Sequence, residues 1–359
     1  MANTVAYGFQ SLIDVFAERV TTVGTAVVWD AIEASVAEHN RQLTALMALF
    51  TRPAPRPKIR YKTPSVARLQ PSNELGRARP IRVAGFYDVA FPIQMGSAAL
   101  GENFIAGAKM TVDDANRLTN ALTGADARWM RDHILASLYT NNTWTYDDPD
   151  DEIGALTIQP LANGDTVKYT VMTGADDGAT DTHFLAQAGA IADGATDPFQ
   201  TIHDELMEHP DNSGEVIAFI PTNLKATVFA LSAVMPAQDP NVRAGNASDV
   251  LVGELGVAHP GEIFGYHSAR VWCVEWRSLP NDYIIATTTT GESPLGMRED
   301  EETELQGFRQ VGNRDDFPYS EVQYMRRAGF GGWNRVGAVV LRVGNASYTE
   351  PTNYTAPIP

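Results

Sequence analysis

The sequence predicts an α+β protein, because patterns of helical and of strand periodicity both recur along the chain. Apolar residues at helical spacing mark residues 9–50, and a second helical pattern begins at Thr111. Runs rich in β-branched and aromatic residues, such as EIFGYHS and ARVWCVEW, fill the later part of the chain. With 359 residues, 44% of them hydrophobic, the chain is long enough for two domains or for one domain with large extensions, and it is too apolar for a disordered protein.

The helix predicted over residues 9–50 has two built-in boundaries. Gly24 offers a place where it breaks in two, and TRPAPRP (51–57) ends it, because alternate prolines force an extended backbone. A helix of this length spans about 60 Å, more than one compact domain accommodates. We therefore expect it to lie along something other than its own domain.

Residues 58–93 predict one long hairpin with a basic and poorly alternating sequence. KIRYKTPSVARLQ forms one arm, PSNELGRARP the tip and IRVAGFYDVAFPIQ the return. A two-stranded hairpin is only marginally stable alone in water. This one therefore needs a surface to lie on, and its own domain is not the obvious one.

Local patterns predict the remaining elements. The helix from Thr111 has Asp113 and Asp114 in its first turn, and TGAD (123–126) resembles a second helix cap. The other predictions are strands at ALTIQP and TVKYTVM around NGD (163–165), a short helix in PFQTIHDELMEHP, a strand and helix in GEVIAFIPTNLKATVFAL, a strand at DYIIATTTT, and a terminal hairpin in EVQYMRRAGFGGWNRVGAVVLRVG (321–344).

Charge is unevenly distributed in this chain of net charge -17. Residues 52–82 carry nine basic side chains opposed only by Glu74, whereas residues 147–215 are acidic with Lys168 as their one basic residue. Opposite blocks of this kind favour contacts between copies of the chain. The alternative is that both are solvated faces, since exposed ion pairs contribute little.

No motif predicts a catalytic, cofactor or metal site. The chain lacks phosphate-binding glycine loops and a G-x-S-x-G motif, and Cys273 lies in an apolar run typical of a core strand. His203 and His209 in HDELMEH lack metal-ligand spacing, and DDPDDE (147–152) lacks the glycine of a calcium loop. A metal-dependent enzyme built on these acids and histidines remains an alternative, as does a nucleic-acid binder acting through residues 52–82.

The sequence also indicates where the protein works. No apolar run approaches the length of about 20 residues that a membrane span needs, so we expect no membrane partner. The first residues lack the basic start and apolar core of a secretion signal. We therefore expect the protein to be made and kept in the cytoplasm.

Four stretches carry a resemblance to a known family. These are YDVAFPIQMGSAALGENFIAGAKMTVDDANRLTNAL, EVIAFIPTNLKATVFAL, ARVWCVEWRSLPNDYIIATTTTGESPLGMRED and YMRRAGFGGWNRVGAVVLRVG. With the order of the elements, they resemble the major capsid proteins of tailed bacteriophages (Caudoviricetes), whose Hong Kong 97-type fold is shared with encapsulins. The resemblance covers nearly the whole chain through patterns of residue class rather than through invariant residues.

The resemblance implies a division of the chain into named parts. These are an N-terminal helical arm (1–54), an extended E-loop hairpin (55–108), a first part of the P-domain with the spine helix and an acidic insertion (109–197), an A-domain (198–290) and a second part of the P-domain with the terminal hairpin (291–359).

It also implies a structural function without catalysis. The chain would self-assemble into hexamers and pentamers of an icosahedral virion shell around double-stranded DNA, assembled in the host cytoplasm. Portal, scaffold and decoration proteins would be further partners, and the DNA would be contacted without sequence preference. An encapsulin-like nanocompartment shell shares the fold and remains an alternative.

Basic residues are the predicted contacts between subunits. They are Arg56, Lys58, Arg60, Lys62, Arg68, Arg77, Arg79, Arg82, Arg326, Arg327 and Arg335. Together with Arg342, the last three are expected to face partner subunits or the interior of the shell. Strand alternation places Gln323, Met325 and Arg327 on one face and Tyr324 and Arg326 on the other.

Overall fold

The computed structural model describes residues 17–62, 74, 76, 86–148, 154–172, 180–237, 257–316 and 319–358. These residues form two compact units. The first takes its described residues from Met1–Ala45, Gln94–Arg131 and Glu299–Ala328, and the second from Leu46–Ile93, Asp132–Arg298 and Gly329–Pro359.

Helices and strands both occur along the described chain, with most of the strands in its later part. The helices are α1 (Val20–Val23), α2 (Thr25–Met47), α3 (Phe104–Lys109), α4 (Val112–Tyr139), α5 (Phe199–Met207) and α6 (Thr222–Phe229). The strands are β1 (Thr51–Pro53), β2 (Lys58–Lys62), β3 (Phe86–Ala90), β4 (Gln94–Asn103), β5 (Trp144–Asp147), β6 (Ala155–Ile158), β7 (Phe184–Gln187), β8 (Asn212–Ile220), β9 (Val234–Pro236), β10 (Glu262–His267), β11 (Val271–Glu275), β12 (Tyr283–Gly291), β13 (Leu295–Glu299), β14 (Arg309–Asp316), β15 (Tyr319–Gly332) and β16 (Ala338–Val343).

The N-terminal helical stretch breaks at Gly24, as predicted. Gly24 has a φ of +113°, a conformation that residues with a Cβ rarely adopt. Beyond it, α2 buries Val28 and Val36 in two apolar clusters of the first unit, the second of which includes Leu122 and Phe308. The expectation that this helix lies along something other than its own domain is therefore wrong for its buried stripe. Residues 9–16 of the predicted helix lie outside the described part.

Helix α4 is continuous over Val112–Tyr139. Its start is a reciprocal capping box: the Asp114 amide donates to Thr111 Oγ1 at 3.2 Å, and the Thr111 amide donates to Asp114 Oδ2 at 3.1 Å. The second cap predicted at residues 123–126 is wrong, because the helix runs through it. The Asp126 side chain instead binds an arginine from a strand, as described below.

The sheet of the first unit is built around β15. Strands β4 and β14 both pair with it in antiparallel fashion, with Gln94 opposite Ala328 and Arg309 opposite Met325. Val322, Tyr324 and Arg326 are buried, whereas Gln323 is exposed. The predicted alternation of faces along this strand is confirmed.

The second unit contains a seven-stranded sheet in the order β7-β16-β12-β8-β11-β10-β9. The strand and helix predicted in GEVIAFIPTNLKATVFAL are β8 and α6, and the short helix predicted between prolines is α5. Strands β10, β11 and β12 match three predicted β runs. Cys273 on β11 is fully buried in the apolar cluster of this sheet, so its predicted core position is confirmed.

Two strand predictions are wrong. The terminal hairpin does not form: β16 pairs with β12 and β7, and β15 pairs with β4 and β14. Most of β16 is buried, and such a strand is stable in a sheet interior with neighbours on both sides. TVKYTVM forms no strand, since its backbone bonds elsewhere, for example from the Met172 amide to the Glu208 carbonyl.

None of the helices in the described residues is both long enough and apolar enough to cross a membrane.

Candidate functional site

The base of the predicted E-loop hairpin is present in the second unit. Strands β2 and β3 pair in antiparallel fashion, with Lys58 opposite Ala90 and Lys62 opposite Phe86. The Tyr61 and Tyr87 rings stack at 5.0 Å, and the Tyr87 hydroxyl donates to the Trp333 carbonyl at 3.0 Å. This base is therefore anchored on its own unit, contrary to the expectation that the whole hairpin needs another surface.

Three predicted contact residues project from this base into solvent. The side chains of Arg56, Lys58 and Arg60 are exposed. Arg60 Nε lies 2.8 Å from Asp88 Oδ1, and its guanidinium carbon lies 4.1 Å above the exposed Phe86 ring. Lys62 ends β2, and Arg68, Arg77, Arg79 and Arg82 lie outside the described residues.

Arg335 is not a surface residue. Its side chain is 0% exposed and reaches four acceptors in the second unit. Nε donates to the Pro160 carbonyl at 2.7 Å and Nη1 to Asp165 Oδ2 at 2.8 Å, while Nη2 donates to the Leu161 carbonyl and Asn163 Oδ1 at 3.2 Å each. The prediction that Arg335 contacts another subunit is therefore wrong, because every part of its guanidinium is used within its own chain.

Arg326 is likewise buried, at 4% exposure, in the first unit. Its Nε and Nη2 atoms lie 2.5 and 2.7 Å from the two carboxylate oxygens of Asp126, and Nη2 also donates to Asn40 Oδ1 at 2.7 Å. His39 Nε2 lies 2.8 Å from Asp126 Oδ2. The prediction of a contact between subunits is wrong for Arg326 as well, since its guanidinium is buried and paired with Asp126 inside one unit.

The environment of Asp126 has opposing effects on its pKa. Burial raises the pKa, but hydrogen bonds from His39 and Arg326 and their charges outweigh it, so the pKa of Asp126 falls below its ordinary value of 3.8. The carboxylate is therefore ionised at neutral pH.

Two other arginines remain partly accessible. Arg327 is half-buried in the first unit and pairs with Asp300 at 2.5 Å. Arg342 is half-buried in the second unit, with its guanidinium carbon 5.6 Å from the Tyr283 ring centroid. Of the arginines in the last long stretch of the chain, these two keep surface that a partner can reach.

The acidic and histidine-rich stretches are arranged differently from the metal-dependent alternative. Asp148 of DDPDDE is buried against Arg298 Nη1 at 2.7 Å rather than solvated, and residues 149–153 lie outside the described part. His203 faces outward and bonds Asp204, whereas His209 is buried beside Asp181 and His183. Sequence reasoning missed this second cluster, because its members are up to 28 residues apart and match no motif.

Comparison with known proteins rests on structure. No protein-family model and no curated protein matches the chain. A solved structure from Mycobacterium phage Patience aligns with 99% of this chain and 98% of its own, at a TM-score of 0.66 and 18% sequence identity.

The chain has the fold of tailed-phage capsid proteins.

Two further solved structures are less similar to this chain than the phage Patience structure is. The capsid of a native GTA particle aligns with 84% of this chain and 91% of its own, at 10% identity and a TM-score of 0.49. The mature capsid of bacteriophage PhiM1 aligns with 81% and 83%, at 10% identity and a TM-score of 0.48. The fold assignment rests on the phage Patience structure.

The first unit of the chain exposes several large apolar side chains. Met95 at the start of β4 is 65% exposed, and Ile105 on α3 is 62% exposed. Val27 and Trp29 on α2 are exposed as well. Single exposed apolar side chains are common on protein surfaces, so these four do not by themselves mark a contact site.

Proposed function

We propose that the chain is a major capsid protein that self-assembles into an icosahedral shell enclosing a double-stranded DNA phage genome. One observation carries the proposal: the fold agrees with a phage structure over 99% of this chain and 98% of that one. The role is structural rather than enzymatic. The shell forms in the host cytoplasm and becomes the capsid of the virion.

Assembly proceeds through hexamers and pentamers of one chain. The parts of the chain in this proposed shell are the N-terminal arm (1–54), the E-loop (55–108), the P-domain (109–197 and 291–359) and the A-domain (198–290). The β2–β3 base is held by its own unit, while the longer part of the loop reaches a neighbouring subunit.

The proposed contacts between subunits are now fewer than the sequence suggested. Arg56, Lys58, Arg60, Lys62, Arg68, Arg77, Arg79, Arg82 and Arg327 remain. Their positive charge meets the acidic surface of a second copy, whose net charge is -17. Electrostatic attraction of this type sets register and orientation more than affinity.

Other partners follow from the same role. Packaged DNA is contacted without sequence preference, because lysine and arginine side chains would bind its backbone phosphates rather than its base edges. Portal, scaffold and decoration proteins are the remaining expected partners. No contact in the described residues specifically favours an encapsulin-like nanocompartment.

Negative-stain electron microscopy of the purified chain tests this function. The proposal predicts closed shells or capsomers with five-fold and six-fold symmetry. A protein that stays monomeric at high concentration, including after addition of a crowding agent, would contradict it.

A further inference from the structure

Three side chains of the second unit converge on one point. Asp181 and His183 directly precede β7, and His209 follows α5. Asp181 Oδ2 lies 2.9 Å from His183 Nε2 and 2.8 Å from His209 Nε2, and the two Nε2 atoms lie 3.2 Å apart. The histidine side chains are 0% and 1% exposed, so bulk water does not separate these atoms.

Backbone carbonyls fix the tautomer of both histidines. His183 Nδ1 lies 2.9 Å from the Ala338 carbonyl oxygen, and His209 Nδ1 lies 2.9 Å from the Thr170 carbonyl oxygen. A carbonyl only accepts hydrogen bonds, so each Nδ1 carries a proton and donates it. A neutral imidazole then has a bare lone pair on Nε2, and both lone pairs point at Asp181 Oδ2.

Three lone pairs at these separations repel one another unless a positive charge lies between them. One added proton on His209 Nε2 would leave the lone pair of His183 Nε2 facing the same carboxylate oxygen at 2.9 Å. A second added proton would place two buried imidazolium rings, with N–H groups 3.2 Å apart, on that oxygen. A metal ion satisfies the same three atoms at once. A histidine that donates its second N–H to a backbone carbonyl is the usual arrangement around protein-bound metals.

The donor set and its size select the ion. Two imidazole nitrogens and one carboxylate oxygen suit Zn²⁺, whereas Mg²⁺ and Ca²⁺ prefer oxygen ligands throughout. Tetrahedral zinc with bonds of about 2.0–2.1 Å holds its ligand atoms about 3.3 Å apart. The three observed separations of 2.8, 2.9 and 3.2 Å reach that value with small side-chain shifts.

We propose that Asp181, His183 and His209 bind one structural Zn²⁺ ion through Oδ2 and the two Nε2 atoms. A carboxylate is at hand for the fourth position, since Glu208 Oε1 lies 3.6 Å from His209 Nε2. Through its ligands and their carbonyl partners, the ion joins β16, the stretch around Thr170, the start of β7 and the end of α5. The proposal departs from the absence of a metal site expected from the sequence.

Metal analysis of the untagged, full-length protein tests the site. Protein purified without chelators from zinc-supplemented culture should contain about one zinc ion per chain, and Co²⁺ exchanged into it should show the visible absorption of a tetrahedral site. Dipicolinate should lower the melting temperature and increase amide exchange around residues 164–172. Wild-type protein that takes up neither Zn²⁺ nor Co²⁺ would overturn the proposal and leave the protonated triad as its explanation.

Variants localise the bound ion. His209→Gln and Asp181→Asn should each lose the zinc and the sensitivity to dipicolinate. His203→Gln is the matched control, because this histidine lies within α5, six residues before His209, and its ring bonds the neighbouring Asp204. Zinc retained by both ligand variants, or lost from His203→Gln, would place the metal elsewhere and contradict the assignment. The wild-type measurement decides the question even if a ligand variant fails to fold.

Discussion

The Arg335 guanidinium shows how a charged side chain acts as a structural centre. It lies at zero exposure with its nitrogens donating to Pro160, Leu161, Asn163 and Asp165. A buried charge is tolerated only when it is paired and hydrogen-bonded throughout. Removing it leaves the buried Pro160 and Leu161 carbonyls without a donor, whereas Asp165, whose side chain is 30% exposed, can still bind water.

We therefore predict that Arg335→Ala lowers the free energy of unfolding by about 2–5 kcal/mol, because two buried carbonyls lose their donors at about 1–3 kcal/mol each. The control is Arg60→Ala, which removes an exposed, solvent-screened pair with Asp88 and should leave the free energy of unfolding close to that of wild type. Urea unfolding followed by tryptophan fluorescence measures both values. Equal effects of the two substitutions would contradict the structural role of Arg335.

Asp126 predicts a pH dependence with a definite sign. Its pKa in the folded protein is depressed below 3.8, so its ionised form stabilises the first unit above that pH, and the contribution is lost as pH falls through the folded value. The difference in melting temperature between wild type and Asp126→Asn should therefore be full at pH 7 and shrink below about pH 4. A difference that grows toward acid pH would show that the carboxylate is not stabilised by Arg326 and His39.

At the scale of elements, strand β15 depends on glycine where other backbone comes close. A Cβ at Gly329 would overlap the Pro92 carbonyl oxygen, and one at Gly331 would overlap the Ala90 carbonyl oxygen. The obstacle at both positions is backbone rather than a flexible side chain. These two glycines therefore let the chain at residues 90–92 lie directly against the end of β15.

Gly329→Ala should therefore lower the free energy of unfolding of the second unit by about 3 kcal/mol, because the added methyl group overpacks against a fixed backbone. Gly101→Ala on β4 is the matched strand control, because nothing lies within 4 Å of an added Cβ there. We expect its melting temperature to equal that of wild type or exceed it slightly. A Gly329→Ala protein as stable as the Gly101→Ala protein would refute the close approach.

Sequence patterns anticipated elements whose cause is local. The break at Gly24, the Thr111 start of α4, and the strand β8 followed by α6 all depend on neighbouring residues. The terminal hairpin was predicted wrongly because β16 finds its partners, β12 and β7, far away in the chain. Nothing in the sequence showed which strand it would join.

The same distinction between local patterns and distant contacts applies to the candidate site residues. Alternation along β15 was readable, but the burial of Arg326 depends on Asp126 across 200 residues, and that of Arg335 on Asp165 across 170. The cluster of Asp181, His183 and His209 has no spacing motif at all. Charge alone predicted surface positions for these arginines, since the acids that pair with them are identified only by the fold.

At the scale of the whole molecule, assembly should depend on the exposed basic side chains beside the E-loop base. Arg56→Glu combined with Lys58→Glu reverses two charges on exposed side chains and keeps the Arg60–Asp88 pair of the second unit. We expect the double variant to keep the wild-type melting temperature and to form far fewer shells, because like charges now face the acidic neighbour.

Sucrose-gradient sedimentation and negative-stain counts of shells measure that loss. Lys168→Glu is the control, since Lys168 is exposed on the same unit and outside the proposed contacts. Shell yield should stay at the wild-type level in this variant. Normal shells from the double variant would show that these two residues make no contact between subunits.

In the proposed shell, each chain forms its full set of contacts only with identical neighbouring chains. Sedimentation velocity of the purified full-length protein over a wide concentration range measures this directly. We predict pentamers or hexamers that give way to closed shells as concentration rises. A single species with the mass of one chain at every concentration would contradict the claim.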